Sequence, residues 1–190
     1  MKQNTAVFLD RDGVINEEVG YIDSLDKLKI ISCAYEAIKL INQSGMQVVI
    51  VSNQAGVAKG IFTEDFVQTT HDYLQRILSR QGAYINSIYY CPHHPTEGEK
   101  PYQQVCECRK PAPGMLLRAA QDLNIDLKRS YMIGDRFRDI EAAKKAGVQG
   151  ILVKTGYGQG LLMDDGPDKE TPDSQPDYIA ADILEAVKWI

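Results

Sequence analysis

The chain has 190 residues, 44% of them hydrophobic and 25% charged, which suits a single domain over 1–190 with a core of ordinary size. Its net charge of -5 argues against a general nucleic-acid binder, which carries a basic excess, but not against a small anionic ligand held by local cations. The longest apolar runs, such as "VVIV" at 48–51, are too short to span a bilayer, and the opening "MKQNTAVFLD" lacks the apolar core of a secretory signal. A cytoplasmic protein with no membrane partner is expected.

"AVFL" (6–9) is a continuous apolar run, read as a first strand. A helical pattern follows at about 32–44, closed by Gly45, with Cys33 read as a packed thiol. "QVVIVS" (47–52) is a second strand, and 63–81 an amphipathic helix with Thr63 as its cap and His71 as an ordinary surface or partly buried histidine. "INSIYY" (85–90) is a third strand. Pro113 suits the start of a helix running to about 124. "SYMIG" (130–134) and "GILV" (150–153) are strands flanking a helix at about 136–146 that ends at Gly147. The stretch 156–177, rich in Gly, Pro and Asp, predicts a mobile surface loop, and 178–188 a last short helix.

Short strands without alternation, separated by helices, predict a doubly wound α/β fold with a parallel sheet covered on both faces. In such folds ligands bind beyond the carboxyl ends of the strands. The first strand ends there in Asp10-Arg11-Asp12, the second in Ser52-Asn53, and the fourth in Gly134-Asp135 with Asp139 one turn later; Arg109 and Lys110 precede the third helix. Clustered carboxylates repel unless a cation or proton intervenes, and hard oxygen donors with room for water suit Mg²⁺. A carboxylate can attack phosphorus, a second can protonate the leaving alkoxide and then activate water, and lysine and serine can hold the equatorial oxygens. The set is equipped for phosphoryl transfer. Any one of these motifs alone is an ordinary loop feature; their order, each closing a different strand, carries the reading.

The loop 91–110 gathers Cys91, His93, His94, Cys106 and Cys108. Two close pairs of soft or borderline ligands suit tetrahedral zinc, with either histidine available as the fourth ligand. A redox pair at Cys106 and Cys108 lacks the C-x-x-C spacing. Four protein ligands leave no position for water, the mark of a structural rather than a catalytic zinc.

These motifs resemble the haloacid dehalogenase (HAD) superfamily of phosphohydrolases: "DRDGV", "VSN", "RKP" and "GDRFRD" match its four motifs in order. The closer likeness, through "VSNQAGVAKGIFTE", "YYCPHHP" and "VCECRKPAPGML", is to its sugar-bisphosphate phosphatases and covers about the first 155 residues. The resemblance implies a HAD-like Rossmannoid without a cap domain. It implies Asp10 as nucleophile, Asp12 as general acid/base, and Ser52 and Lys110 as phosphoryl-binding groups. Mg²⁺ would be held by Asp10, the Asp12 carbonyl and Asp135. Gly20, Tyr21, Asn53, Gln54, Arg109 and Arg136 would recognise a small sugar bisphosphate. The resemblance selects His93 over His94 for structural Zn²⁺ with Cys91, Cys106 and Cys108. Two positions depart from it: Val14 stands where many relatives have Thr, and Arg136 where Lys is frequent. Histidinol phosphate is the alternative substrate, disfavoured by the long His94–Val105 insert; a phosphoacceptor signalling domain is disfavoured by Asp12 beside Asp10, which promotes turnover. A monomer is expected.

Overall fold

Six parallel strands in the order β3-β2-β1-β4-β5-β6 organise the computed structural model, which describes residues 3–161 and 171–190. In chain order they are β1 (Ala6–Leu9), β2 (Gln47–Asn53), β3 (Ser87–Cys91), β4 (Tyr131–Gly134), β5 (Gln149–Val153) and β6 (Tyr178–Ala180). The helices are α1 (Ala34–Ser44), α2 (Glu64–Arg80), α3 (Gly114–Asp122), α4 (Phe137–Ala146), α5 (Gly158–Leu161) and α6 (Ile183–Trp189).

The absence of alternation in the strands has a direct cause. Along β1, Val7 and Leu9 face a core layer completed by α1, α2 and α6, whereas Ala6 and Phe8 face one completed by α3 and α4. All four side chains are fully buried. A parallel strand covered on both faces needs apolar residues at every position, and cutting Phe8 to Ala would cost about 3–5 kcal/mol. The helix ends follow local rules. Thr63 accepts from the Phe66 N–H at 3.2 Å, and Gly45 and Gly147 close α1 and α4 in the left-handed region.

Three sequence expectations change. The segment expected as one helix over 178–188 splits: Tyr178–Ala180 pair with Ile151–Val153 as β6, and Asp182 caps α6 by accepting from Leu184 and Glu185 at 2.8 and 2.9 Å. Pairing with a strand about 27 residues upstream outweighs the local helical pattern. Cys33 is half-buried at the cap of α1 instead of inside the helix. Of the expected loop at 156–177, residues 162–170 lie outside the described residues; Gly158–Leu161 and Pro172–Ser174 form short helical turns.

Strand order reverses between β1 and β4, whose neighbouring carboxyl ends open a crevice. Among the described residues, the segments after β1 and β2 contain only turns, two isolated β-bridges (Asp12 to Asn16 and Asn16 to Ile30) and one short 3₁₀ helix (Leu25–Lys27), so no cap domain covers it.

Candidate active site

Asp10 leaves β1 with its N–H on the Ile133 carbonyl of β4 at 3.0 Å, placing its carboxylate at the crevice. Lys110, 1% exposed, enters from the loop before α3 and sets its Nζ 3.0 Å from Asp10, 2.7 Å from Asp139 and 2.8 Å from the Val51 carbonyl. Asn53 grips the Lys110 backbone on both sides, accepting from its N–H at 3.0 Å and donating to its carbonyl at 2.9 Å. Lysine at this depth is stable because two carboxylates compensate its burial.

Oxygens of Asp10, Asp135 and Asp139 lie within 4.8 Å of one another. Burial, opposed by Lys110 and reinforced by Asp139 and Asp12, pushes Asp10 up to about 6. Burial together with the charges of Asp10 and Asp139 pushes Asp135 up to about 8. Carboxylates crowded like Asp10 and Asp135 retain protons unless a cation takes their place. Glycines allow the approach: a Cβ on Gly13 or Gly156 would stand 2.1 or 2.2 Å from Asp135 Oδ2, which also accepts the Tyr157 N–H at 2.8 Å. Gly13 has φ +82, so a side chain there would be strained as well. The donor set fits a hard divalent cation such as Mg²⁺.

Asp12 sits in a different field. Arg11, 2% exposed, clamps it with Nη2 at 2.8 Å and Nε at 3.1 Å, and Asn16 and Gln54 donate to it at 2.9 and 3.1 Å. Burial raises its proton affinity, but the guanidinium and these hydrogen bonds prevail and hold it below the ordinary carboxylate value. Behind Arg11, Nη1 lies 3.4 Å from His71 Nε2. A guanidinium only donates, so Nε2 accepts and the imidazole is neutral. Burial and the Arg11 charge pull His71 down to about 3. The expectation of a surface or partly buried histidine is therefore corrected: His71 is 1% exposed and is part of the site's support.

Ser52, also buried, accepts from Gln54 Nε2 at 2.8 Å and faces a cavity of about 200 Å³. The same cavity is lined by Asp10, Asp12, Gly20, Tyr21, Asn53, Gln54, Arg109, Asp135 and Arg136. Every sequence-expected catalytic and substrate position thus meets at one opening except Lys110, which lies beneath it. Glu18, Phe62, Arg138 and Tyr157 line it too and were not singled out by sequence. Tyr157 stacks under the Arg136 guanidinium at 3.3 Å.

Beside the cavity, Cys91 ends β3 in register with Asn53. Its sulfur lies 3.5 Å from Cys106 and 3.1 Å from Cys108, and His93 Nδ1 is 3.6 and 3.4 Å from Cys91 and Cys108. Zn–S bonds of about 2.3 Å give tetrahedral edges of about 3.8 Å, so the four donors fit zinc after a shift of tenths of an ångström. Hydrogen bonding among the crowded thiols pushes Cys91 up and Cys108 down to about 5. His94 Nδ1 instead accepts the Glu97 N–H at 2.9 Å, away from the sulfurs. Arg109 Nη1 donates to the His93 carbonyl at 3.0 Å, tying the cluster to the cavity wall.

The HAD-hydrolase-like family matches residues 107–186. The chain is 43% identical over 189 residues to D-glycero-D-manno-heptose-1,7-bisphosphate 7-phosphatase of Thermosynechococcus vestitus, covering 97% of this chain and 94% of that one. It is 42% identical over 156 residues, 82% of each chain, to D-glycero-beta-D-manno-heptose-1,7-bisphosphate 7-phosphatase of Escherichia coli K12. Among solved structures, D,D-heptose 1,7-bisphosphate phosphatase from B. bronchiseptica, complexed with magnesium and phosphate, superimposes with a TM-score of 0.83 at 32% identity over 97% of both chains.

Proposed function

The chain belongs to the heptose-1,7-bisphosphate 7-phosphatases of the HAD-like hydrolases, and on that premise we propose that it removes the C7 phosphate of D-glycero-D-manno-heptose 1,7-bisphosphate through an aspartyl-phosphate at Asp10. The observation that carries the reading is the pairing of Asp10 with buried Lys110 at 3.0 Å, beside an Asp12 fixed separately by Arg11.

The two carboxylates have distinct surroundings and distinct tasks. An Asp10 oxygen attacks phosphorus, the bond to the C7 oxygen breaks, and Asp12 gives that oxygen its proton. Water then attacks the phosphorus of the acyl-phosphate, Asp12 takes the proton, and phosphate leaves with Asp10 regenerated. Arg11 favours the ionised Asp12 of the second step. For the first step the arriving phosphate dianion raises Asp12's proton affinity by like charge. Lys110 and Ser52 meet the equatorial oxygens, where charge accumulates. Asp10, Asp135 and the Asp12 carbonyl would hold Mg²⁺, which when bound neutralises phosphate charge. Gly20, Tyr21, Gln54, Arg109 and Arg136 are read as sugar- and phosphate-facing groups. Asn53 would act on substrate through Lys110, since its amide is engaged there at both ends.

Zn²⁺ on Cys91, His93, Cys106 and Cys108 is read as structural, setting the Arg109-Lys110 segment against the cavity. Thiolates that persist as metal ligands fit a reducing cytoplasm. A monomeric single domain over 1–190 completes the reading.

Mg²⁺-dependent phosphate release from the heptose bisphosphate, compared with histidinol phosphate, tests it. Preference for the heptose substrate and abolition by Asp10→Asn are expected. Preference for histidinol phosphate would overturn the substrate, and turnover by the variant would remove Asp10 as nucleophile.

A further inference from the structure

Asp12 is the outer end of a polar chain that runs inward from the cavity. Its side chain is 20% exposed, the Arg11 side chain behind it 2%, and His71 behind Arg11 1%. The guanidinium divides its donors by edge. Nε and Nη2 fork the Asp12 carboxylate at 3.1 and 2.8 Å, and Nη2 also reaches Gln54 Oε1 at 3.1 Å. Nη1 turns the other way and ends 3.4 Å from His71 Nε2. Among the described residues, His71 is the acceptor of Nη1.

The kind of acceptor decides what Arg11 can do. A carboxylate at position 71 would compete with Asp12 for the guanidinium, and an imidazolium would repel it and offer no lone pair. A neutral imidazole satisfies a buried N–H and leaves the charge facing Asp12. Burial and the Arg11 charge hold His71 at about 3, so it is a neutral acceptor at neutral pH. The ring is itself fixed. It lies on the buried stripe of α2 with Val67 and Leu74 and meets Tyr90 of β3 edge-on at 5.6 Å. The Tyr90 hydroxyl in turn donates to Glu64, the first residue of α2, at 2.7 Å. His71 does not line the cavity, so its reach to the chemistry runs through Arg11.

We propose that His71 is a positioning residue for phosphoryl transfer, holding the Arg11 guanidinium so that Asp12 keeps the orientation its acid and base steps need. The proposal rests on the acid/base reading of Asp12 above and extends the catalytic machinery to α2.

The test uses the zinc-loaded protein with Mg²⁺ and heptose 1,7-bisphosphate, as wild type, His71→Leu, His71→Gln and Asp12→Asn. Leucine is of similar size and suits a buried helical stripe but accepts no hydrogen bond; glutamine offers a neutral acceptor. Melting curves give the folded fraction by which kcat is scaled. His71→Leu should lower kcat about 10- to 100-fold, part of what a general acid/base supplies, with KM little changed. His71→Gln should recover much of that loss. The NMR signal of the Arg11 Nε–H, which donates to Asp12, reports the clamp directly. It should exchange slowly with water in wild type and His71→Gln and be shifted or lost in His71→Leu. An unchanged kcat in His71→Leu, no recovery in His71→Gln, or a lost kcat with the Arg11 signal intact overturns the role of His71 alone. Turnover by Asp12→Asn removes the acid/base reading and this proposal with it.

Discussion

Asn53 holds Lys110 by both faces of its backbone, accepting from the N–H at 3.0 Å and donating to the carbonyl at 2.9 Å. The last residue of β2 thereby sets the height of a lysine whose Nζ must meet Asp10 at the end of β1.

Asn53→Ala should lower kcat by one to two orders of magnitude, with KM for the bisphosphate less affected. Two largely buried hydrogen bonds vanish, costing about 1–3 kcal/mol and lowering Tm by a few degrees. Kinetics and calorimetry on one preparation check both effects. An Asn53→Ala enzyme with unchanged kcat would show that Lys110 keeps its place without the clamp.

Zinc content should be about one ion per chain. Cys108→Ser should lose the metal and much of the thermal stability, because binding to such a site contributes folding free energy. Arg109 is tied to the cluster through the His93 carbonyl, so KM should rise alongside. Elemental analysis, melting and kinetics would register the three changes. Full activity in zinc-free protein would count against the staple.

Magnesium should stabilise the protein more as pH rises. Without a divalent ion, Asp10 titrates at about 6 and Asp135 at about 8, both above the ordinary 3.8. The folded state then keeps protons that the unfolded chain releases. This contribution is complete below 3.8 and is lost as pH rises through 6 and then 8. A cation takes the place of those protons, so the Mg²⁺-induced rise in Tm should grow from pH 5 to about 8.5. A Tm shift independent of pH, measured with zinc retained, would refute the carboxylate site.

His71 predicts the opposite slope. Its folded value of about 3 lies below the ordinary 6.5, so the unfolded chain takes up a proton that the folded state refuses. Stability from this residue is complete above 6.5 and falls as pH drops towards 3, by up to about 1.4 kcal/mol per pH unit. His71→Gln should be less stable at neutral pH but flatter between pH 6.5 and 4. Urea midpoints across that range decide it; parallel curves for the two proteins would exclude the buried neutral imidazole.

Much of the site was legible because its signals are local. Strands buried on both faces must be apolar throughout, so β1, β2, β4 and β5 stand out, and the polar residues closing β1, β2 and β4 are conspicuous. The two close Cys/His pairs are likewise read by spacing. His71 had a signal that was passed over: it lies on the stripe of Val67, Thr70, Leu74 and Leu78, all buried faces of α2. Arg11 had none, since an arginine between two aspartates after a strand looks like a solvated turn.

The sequence by itself determined the layered α/β plan, the acids at the strand ends and the gathering of three cysteines and two histidines in one loop, since each follows from periodicity or spacing within one segment. Tertiary structure alone decided that Asp10 shares Lys110 with Asp139 while Asp12 belongs to Arg11, that His71 backs Arg11, that Tyr178–Ala180 form a strand, and that Arg138 faces the same cavity as Arg109. Those relations join residues far apart in the chain, and burial and charge at such distances depend on which elements pack together, which no local pattern encodes.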